Sequence, residues 1–146
     1  MTGDKCFLDT SILVYAFDVS AGKKHEVAKR IVIDLWDTKD GILSTQVLQE
    51  FFVSVTKKIP KPMDARLARE IVSDFLKWDI VINDETSLLK AIDIHIRYNY
   101  SFCDSLLIQA AIRSGAVLLL TEDLTDSQNI KGISIKNPFK YLAKSP

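Results

Sequence analysis

The sequence predicts an α/β domain built around a central, mainly parallel sheet. Three observations carry that prediction. Short apolar runs alternate with longer segments whose apolar residues recur at helical spacing. Several runs are apolar at successive positions, as strands covered on both faces must be. The 146 residues contain no repeat, low-complexity tract or linker, so 1–146 reads as one domain, long enough to bury a core without disulfide or metal staples.

The elements follow in order. Lys5 to Leu8 reads as a buried strand, and Ser11 to Phe17 opens a short helix that breaks at "DVSAGKK". Ala28, Ile31, Val32 and Leu35 mark a helix over Lys24–Trp36, ended by the turn chemistry of "DTKDG". Ile42-Leu43 is a minimal strand, and Ser44 or Thr45 caps the next helix, expected over Thr45–Lys58. Its face is Val47, Leu48, Phe51, Phe52 and Val55, and Pro60 and Pro62 stop it.

Met63 to Trp78 gives a further amphipathic helix through Leu67, Ile71, Phe75 and Leu76. A strand over Asp79–Asn83 leads into a helix opened by Asp84-Glu85-Thr86 and marked by Leu88, Leu89, Ile92 and Ile96. Phe102–Arg113 is a helix closed by Ser114-Gly115. Val117–Leu120 is the most strongly apolar strand, and Ile133-Ser134-Ile135 a last short one.

Nineteen basic residues balance nineteen acidic ones, which argues against coating nucleic acid by bulk charge while leaving room for a local basic patch. Cys6 and Cys103 form no zinc spacing and read as reduced core thiols. His25 and His95 fall on amphipathic helices as surface or boundary residues, and Trp36 and Trp78 as packing residues. The start of the chain does not read as a signal peptide, and no apolar run reaches the ~20 residues of a membrane span, so the expected location is the cytoplasm.

The chemistry lies in four acids. Ligands of parallel sheets gather beyond the carboxyl ends of strands at a topological switch point. Asp9 falls just past the first strand and Asp123 just past Val117–Leu120. Glu50 lies about 60° outside the apolar arc of its helix, and Asp104 about 20° beyond the arc set by Cys103, Leu106, Leu107, Ala110 and Ala111. Each acid has a structural reading: Asp9 as a helix cap, Asp104 as a first-turn acid, Asp123 as a turn residue, Glu50 as a solvated charge. Taken together, those readings leave unexplained why two acids end apolar strands while a third sits against a buried helix face. Like charges ~4 Å apart repel by about 4 kcal/mol at an effective dielectric near 20. Converging acids therefore take up protons or bind divalent cations, and an all-oxygen pocket suits Mg²⁺ or Mn²⁺.

At these residues the sequence resembles the PIN domain family. The resemblance rests on "FLDTSILVY" (Asp9), "STQVLQEFF" (Glu50), "YSFCDSLLIQAA" (Asp104), "LLLTEDLTD" (Asp123) and the closing "GISIKNPF", and it spans roughly Lys5 to Phe139. It implies a three-layer α/β/α fold and a Mg²⁺- or Mn²⁺-dependent endoribonuclease in which Asp9, Glu50, Asp104 and Asp123 hold the metal. Thr10, Ser11 and Thr121 are supporting candidates, and Asp126 is a fifth, outer acid or a turn residue. Ser11 stands where many VapC-type toxins of this family have Asn. Among small PIN proteins the chain looks most like the VapC-type toxins of toxin–antitoxin pairs, which implies an RNA substrate, a homodimer and a cognate antitoxin occupying the groove by the acids.

Lys57, Lys58 and Lys61 of "KKIPK" are candidate RNA contacts, with a solvated helix end as the structural alternative. Among rival enzymes, a haloacid-dehalogenase phosphatase would place Asp where Ser11 stands, and a receiver domain would place Lys after the late strand, where Thr-Glu-Asp follows Leu120. No Walker or GxGxxG loop occurs, and no Ser-His pair sits in a nucleophile elbow. The rival from another class is a PIN domain that binds RNA or protein without cutting, or one that serves RNA processing outside a toxin system.

Overall fold

The computed structural model describes residues 3–124, 128–140 and 142. Its strands are β1 (Cys6–Leu8), β2 (Gly41–Ser44), β3 (Asp79–Val81), β4 (Leu118–Leu120), β5 (Asn129–Ile130) and β6 (Ile133–Lys136). They form one sheet in the order β3-β2-β1-β4-β6-β5. Every pairing is parallel except β5 with β6. The chain thus starts in the middle of the sheet and extends to β2 on one side and β4 on the other. The switch point falls between β1 and β4, where Asp9 and Asp123 leave the sheet.

Six α-helices among the described residues surround this sheet: α1 (Thr10–Tyr15), α2 (Lys23–Thr38), α3 (Thr45–Val53), α4 (Ala65–Phe75), α5 (Glu85–Tyr98) and α6 (Phe102–Arg113). Helices α1 to α4 pack among themselves, and α5 packs along α6. Their starts follow local chemistry. The side chains of Asp9, Ser44, Asp64, Asp84 and Ser101 each accept a backbone N–H of the helix that follows, supplying an acceptor for an otherwise orphan donor. The core is apolar and continuous, with Phe7, Leu8, Ile12, Leu43, Phe51, Phe75, Ile108 and Leu119 all fully buried. Trp36 and Trp78 pack edge-to-face at 5.4 Å, and both contact Phe75, Trp36 with its ring tilted and Trp78 edge-on. Gly41 is required there, because a Cβ would lie 2.3 Å from the Trp78 ring.

Several boundaries differ from the sequence expectation. The helix expected over Thr45–Lys58 is α-helical only to Val53 and continues as a π-helical turn over Ser54–Lys58. Helix α4 starts at Ala65 rather than Met63, because Asp64 caps it and the Met63 N–H is taken by Val55 O at 2.7 Å. β3 ends at Val81, and β5 was not expected, being only two residues long. Cys6 is buried as expected, whereas Cys103 is exposed in the first turn of α6, so it is no core thiol. Phe52, Leu67 and Leu76 also stand exposed rather than buried.

Helix α5 shows the largest departure from what its pattern suggests. It buries Ser87, Ala91 and Ile94, and it packs along α6. The apolar residues that mark it in the sequence, Leu88, Leu89, Ile92 and Ile96, all face outward, Leu89 being 64% and Ile96 74% exposed. Among the described residues, no helix is long and apolar enough to cross a membrane.

Candidate active site

Asp9 directly follows β1, and its N–H donates to Leu120 O at 3.0 Å, continuing the β1–β4 ladder to the sheet edge. The residue is only 7% exposed. Its Oδ1 accepts the Thr10 N–H at 2.6 Å, and its Oδ2 accepts the Thr121 hydroxyl at 2.6 Å. Thr121 is fully buried, and its oxygen also accepts the Asp123 N–H at 3.1 Å. One threonine therefore couples the acid after β1 to the acid after β4.

Glu50 is brought in from α3. The Thr10 hydroxyl donates to Glu50 Oε1 at 2.6 Å, so the residue that binds Asp9 through its backbone binds Glu50 through its side chain. The Gln46 amide donates to Glu50 Oε2 at 3.4 Å and to Cys103 O at 3.3 Å, tying α3 to the first turn of α6. That turn carries Asp104, half-buried, with its N–H on Ser101 Oγ at 3.1 Å.

The four acids share one electrostatic field. Burial pushes the Asp9 carboxyl up to about 6, opposed by the hydrogen bonds from Thr121 and Thr10 and reinforced by the charges of Asp123 and Glu50. The Asp123 carboxyl is raised first by burial and then by Glu122, Asp104 and Glu50. A buried carboxylate near like charges is stabilised by a proton or a cation.

Of the supporting candidates, Thr10 and Thr121 join the site as described. Ser11 Oγ is buried without a hydrogen-bond partner among the described residues. Asp126 lies outside the described residues. Lys58 lines a cavity of about 420 Å³ together with Thr10, Gln49, Glu50, Val53 and Ser54, whereas Lys57 and Lys61 are exposed and do not line it. Gln46 went unrecognised in the sequence, although it stands four residues before Glu50 and so shares its helix face.

The sequence matches the PIN domain family over residues 6–125. The chain belongs to that family. Comparison with curated proteins finds no match. Solved structures share the PIN fold. A toxin–antitoxin complex from Klebsiella pneumoniae gives a TM-score of 0.65 at 19% identity, covering 92% of this chain and 98% of that one. DNA-bound VapBC from Salmonella typhimurium gives 0.62 at 18%, with coverage of 92% and 98%. The Mycobacterium tuberculosis toxin VapC20, described as cleaving the sarcin–ricin loop, gives 0.61 at 20%, covering 79% and 87%.

The donor set of this PIN domain suits a hard divalent cation: carboxylate oxygens only, with one acid buried and charge-strained. Among the described residues, no three of them stand close enough to enclose a single ion. The acids ring one region of the sheet edge rather than meeting at one point.

Proposed function

We propose that this PIN domain is a Mg²⁺- or Mn²⁺-dependent endoribonuclease and the toxin of a cytoplasmic toxin–antitoxin pair. The observation that carries the reading is Asp9: an acid buried at the switch point, both oxygens held by threonines, its carboxyl raised by burial and by neighbouring acids. Such a group is costly in a scaffold and useful in a cation site.

Asp9, Glu50, Asp104 and Asp123 would hold the metal, with the buried Asp9 as its fixed point and the half-buried Asp104 and exposed Asp123 open to solvent. The bound cation supplies Lewis acidity toward a phosphodiester and makes ionising a water easier. Thr10 and Thr121 keep Asp9 and Glu50 oriented through their N–H and O–H groups. Lys58, beside Glu50, takes a phosphate next to the scissile one.

Two surfaces support the partners. Between α3 and α4 runs an apolar groove of about 480 Å³ lined by Leu48, Phe52, Val72 and Leu76, and Gln49 lines both it and the cavity at Glu50. An antitoxin segment with an apolar anchor in that groove brings an Arg to the acids in place of the metal. The outward face of α5 supplies the homodimer contact.

The test is cleavage of a mixed RNA pool with Mg²⁺ or Mn²⁺. Hydrolysis leaving 5′-phosphate ends is expected, abolished by EDTA and lowered more than about 100-fold in Asp9→Asn and Asp104→Asn. Products with 2′,3′-cyclic phosphate, or cutting that persists in chelator, overturn the nuclease reading. Toxicity in a bacterial host that survives both substitutions, or no rescue by a short neighbouring gene product, removes the toxin assignment alone.

A further inference from the structure

The segment Thr121–Glu122–Asp123 carries a second set of contacts that the acids do not use. Tyr15, the last residue of α1, donates its hydroxyl to Glu122 Oε1 at 2.8 Å. Lys24, in the first turn of α2, donates to Glu122 Oε2 and pairs with it as a salt bridge. The Lys24 ammonium also stands 5.3 Å from the centre of the Tyr15 ring and 5.8 Å from that of Phe139, and the two rings meet edge-to-face at 5.3 Å. Glu122 is thus half-buried with both oxygens engaged, between α1, α2 and the segment after β6.

The placement of these contacts matters more than their number. Helix α1 has Asp9 as its N-cap and Tyr15 as its end, points about 9 Å apart at 1.5 Å per residue. Thr121 is tied to the first point and Glu122 to the second. Two consecutive residues anchored at the two ends of one helix fix the direction of the chain as well as its position. Asp123 is the next residue, exposed, with its N–H already on Thr121.

We infer that Tyr15, Lys24 and Glu122 form a clasp that aims Asp123 at Asp9, making these three the positioning residues of the metal site. The inference rests on the proposal that the four acids hold a divalent cation. The clasp touches neither cation nor RNA. It acts by denying the Asp123 segment other orientations, as groups behind metal ligands do.

The test is Mn²⁺ binding to the metal-free full chain, followed by calorimetry and by the EPR signal of free Mn²⁺ at one pH near 8. Lys24→Met and Glu122→Gln should each weaken binding about tenfold. The double variant should bind no more weakly than either single one, because the pair acts as a unit. Lys24→Arg should restore most of the affinity, and metal-free melting temperatures should stay close to wild type. Affinity within twofold of wild type in both single variants overturns the clasp. So does weakened binding that merely follows a lowered metal-free melting temperature, or losses that add in the double variant. Failure of the wild type to bind Mn²⁺, or unchanged binding in Asp9→Asn, overturns the metal reading and the clasp with it.

Discussion

The Thr121 hydroxyl donates to Asp9 Oδ2 at 2.6 Å, joining residues 112 positions apart at the carboxyl ends of β1 and β4. The bond is buried, so it keeps a carboxylate oxygen satisfied where water does not reach. It also makes the two strands deliver their acids as one unit, since the same threonine oxygen holds the Asp123 N–H.

Asp9 should imprint its titration on the stability of the metal-free protein. Its carboxyl is raised from 3.8 to about 6 in the folded state, so between those values the folded protein keeps a proton that the unfolded chain has lost. Stability therefore falls as pH rises through that window and levels off above it, by on the order of 3 kcal/mol for this group. Asp9→Asn removes the effect while keeping an acceptor for the Thr10 N–H. Urea unfolding without metal should show the variant equal to wild type near pH 4 and more stable at pH 7.5. A variant less stable than wild type at pH 7.5 would mark Asp9 as a cap and nothing more.

The three candidate RNA lysines should separate. Lys58 lines the cavity with Glu50 and Thr10, and Lys57 and Lys61 do not. Lys58→Ala should raise KM several-fold with kcat little changed. It should also reduce the slope of log affinity against log salt by about 0.7, the value for one phosphate contact on a single strand. Lys57→Ala and Lys61→Ala should leave that slope near wild type. Equal effects from all three would make the basic stretch a diffuse patch.

The outward face of α5 should govern oligomeric state. Leu88, Leu89, Ile92 and Ile96 form one exposed apolar strip, and a strip of that kind on a helix marks a contact with another molecule. Light scattering should find a dimer for wild type and a monomer of unchanged melting profile for Leu89→Glu/Ile96→Glu. A wild-type monomer at micromolar concentration, or a dimer that persists in the variant, removes this surface as the homodimer contact.

The legible parts of the structure were those set by local rules. Helix starts at Asp9, Ser44 and Asp84 could be read from cap chemistry, and strands such as Leu118–Leu120 from unbroken apolar runs. That Asp9 and Asp123 would leave the sheet at one edge was legible because a parallel sheet has one switch point, here between β1 and β4. What escaped was non-local. Periodicity shows that α5 has an apolar stripe, but not that its small residues would take the inner side. Nothing near Tyr15 or Lys24 in sequence announces Glu122, 107 and 98 residues away. The two-residue β5 lies below the length at which any period can be seen.

The π-helical turn over Ser54–Lys58 closes with the Ile59 N–H on Ser54 O at 3.1 Å. In an unbroken α-helix, residue 58 would lie about 80° around the axis from Glu50, and residue 57 only about 20° away. The wider turn absorbs one residue, as such bulges do, and so retards the helical phase enough to bring Lys58 round to the cavity that Glu50 lines. Tightening the turn to regular α spacing would carry Lys57 onto that side in its place. The lysine doublet thus acts as a vernier: whichever of the two registers the backbone adopts, an ammonium group comes into line with the glutamate two turns before it.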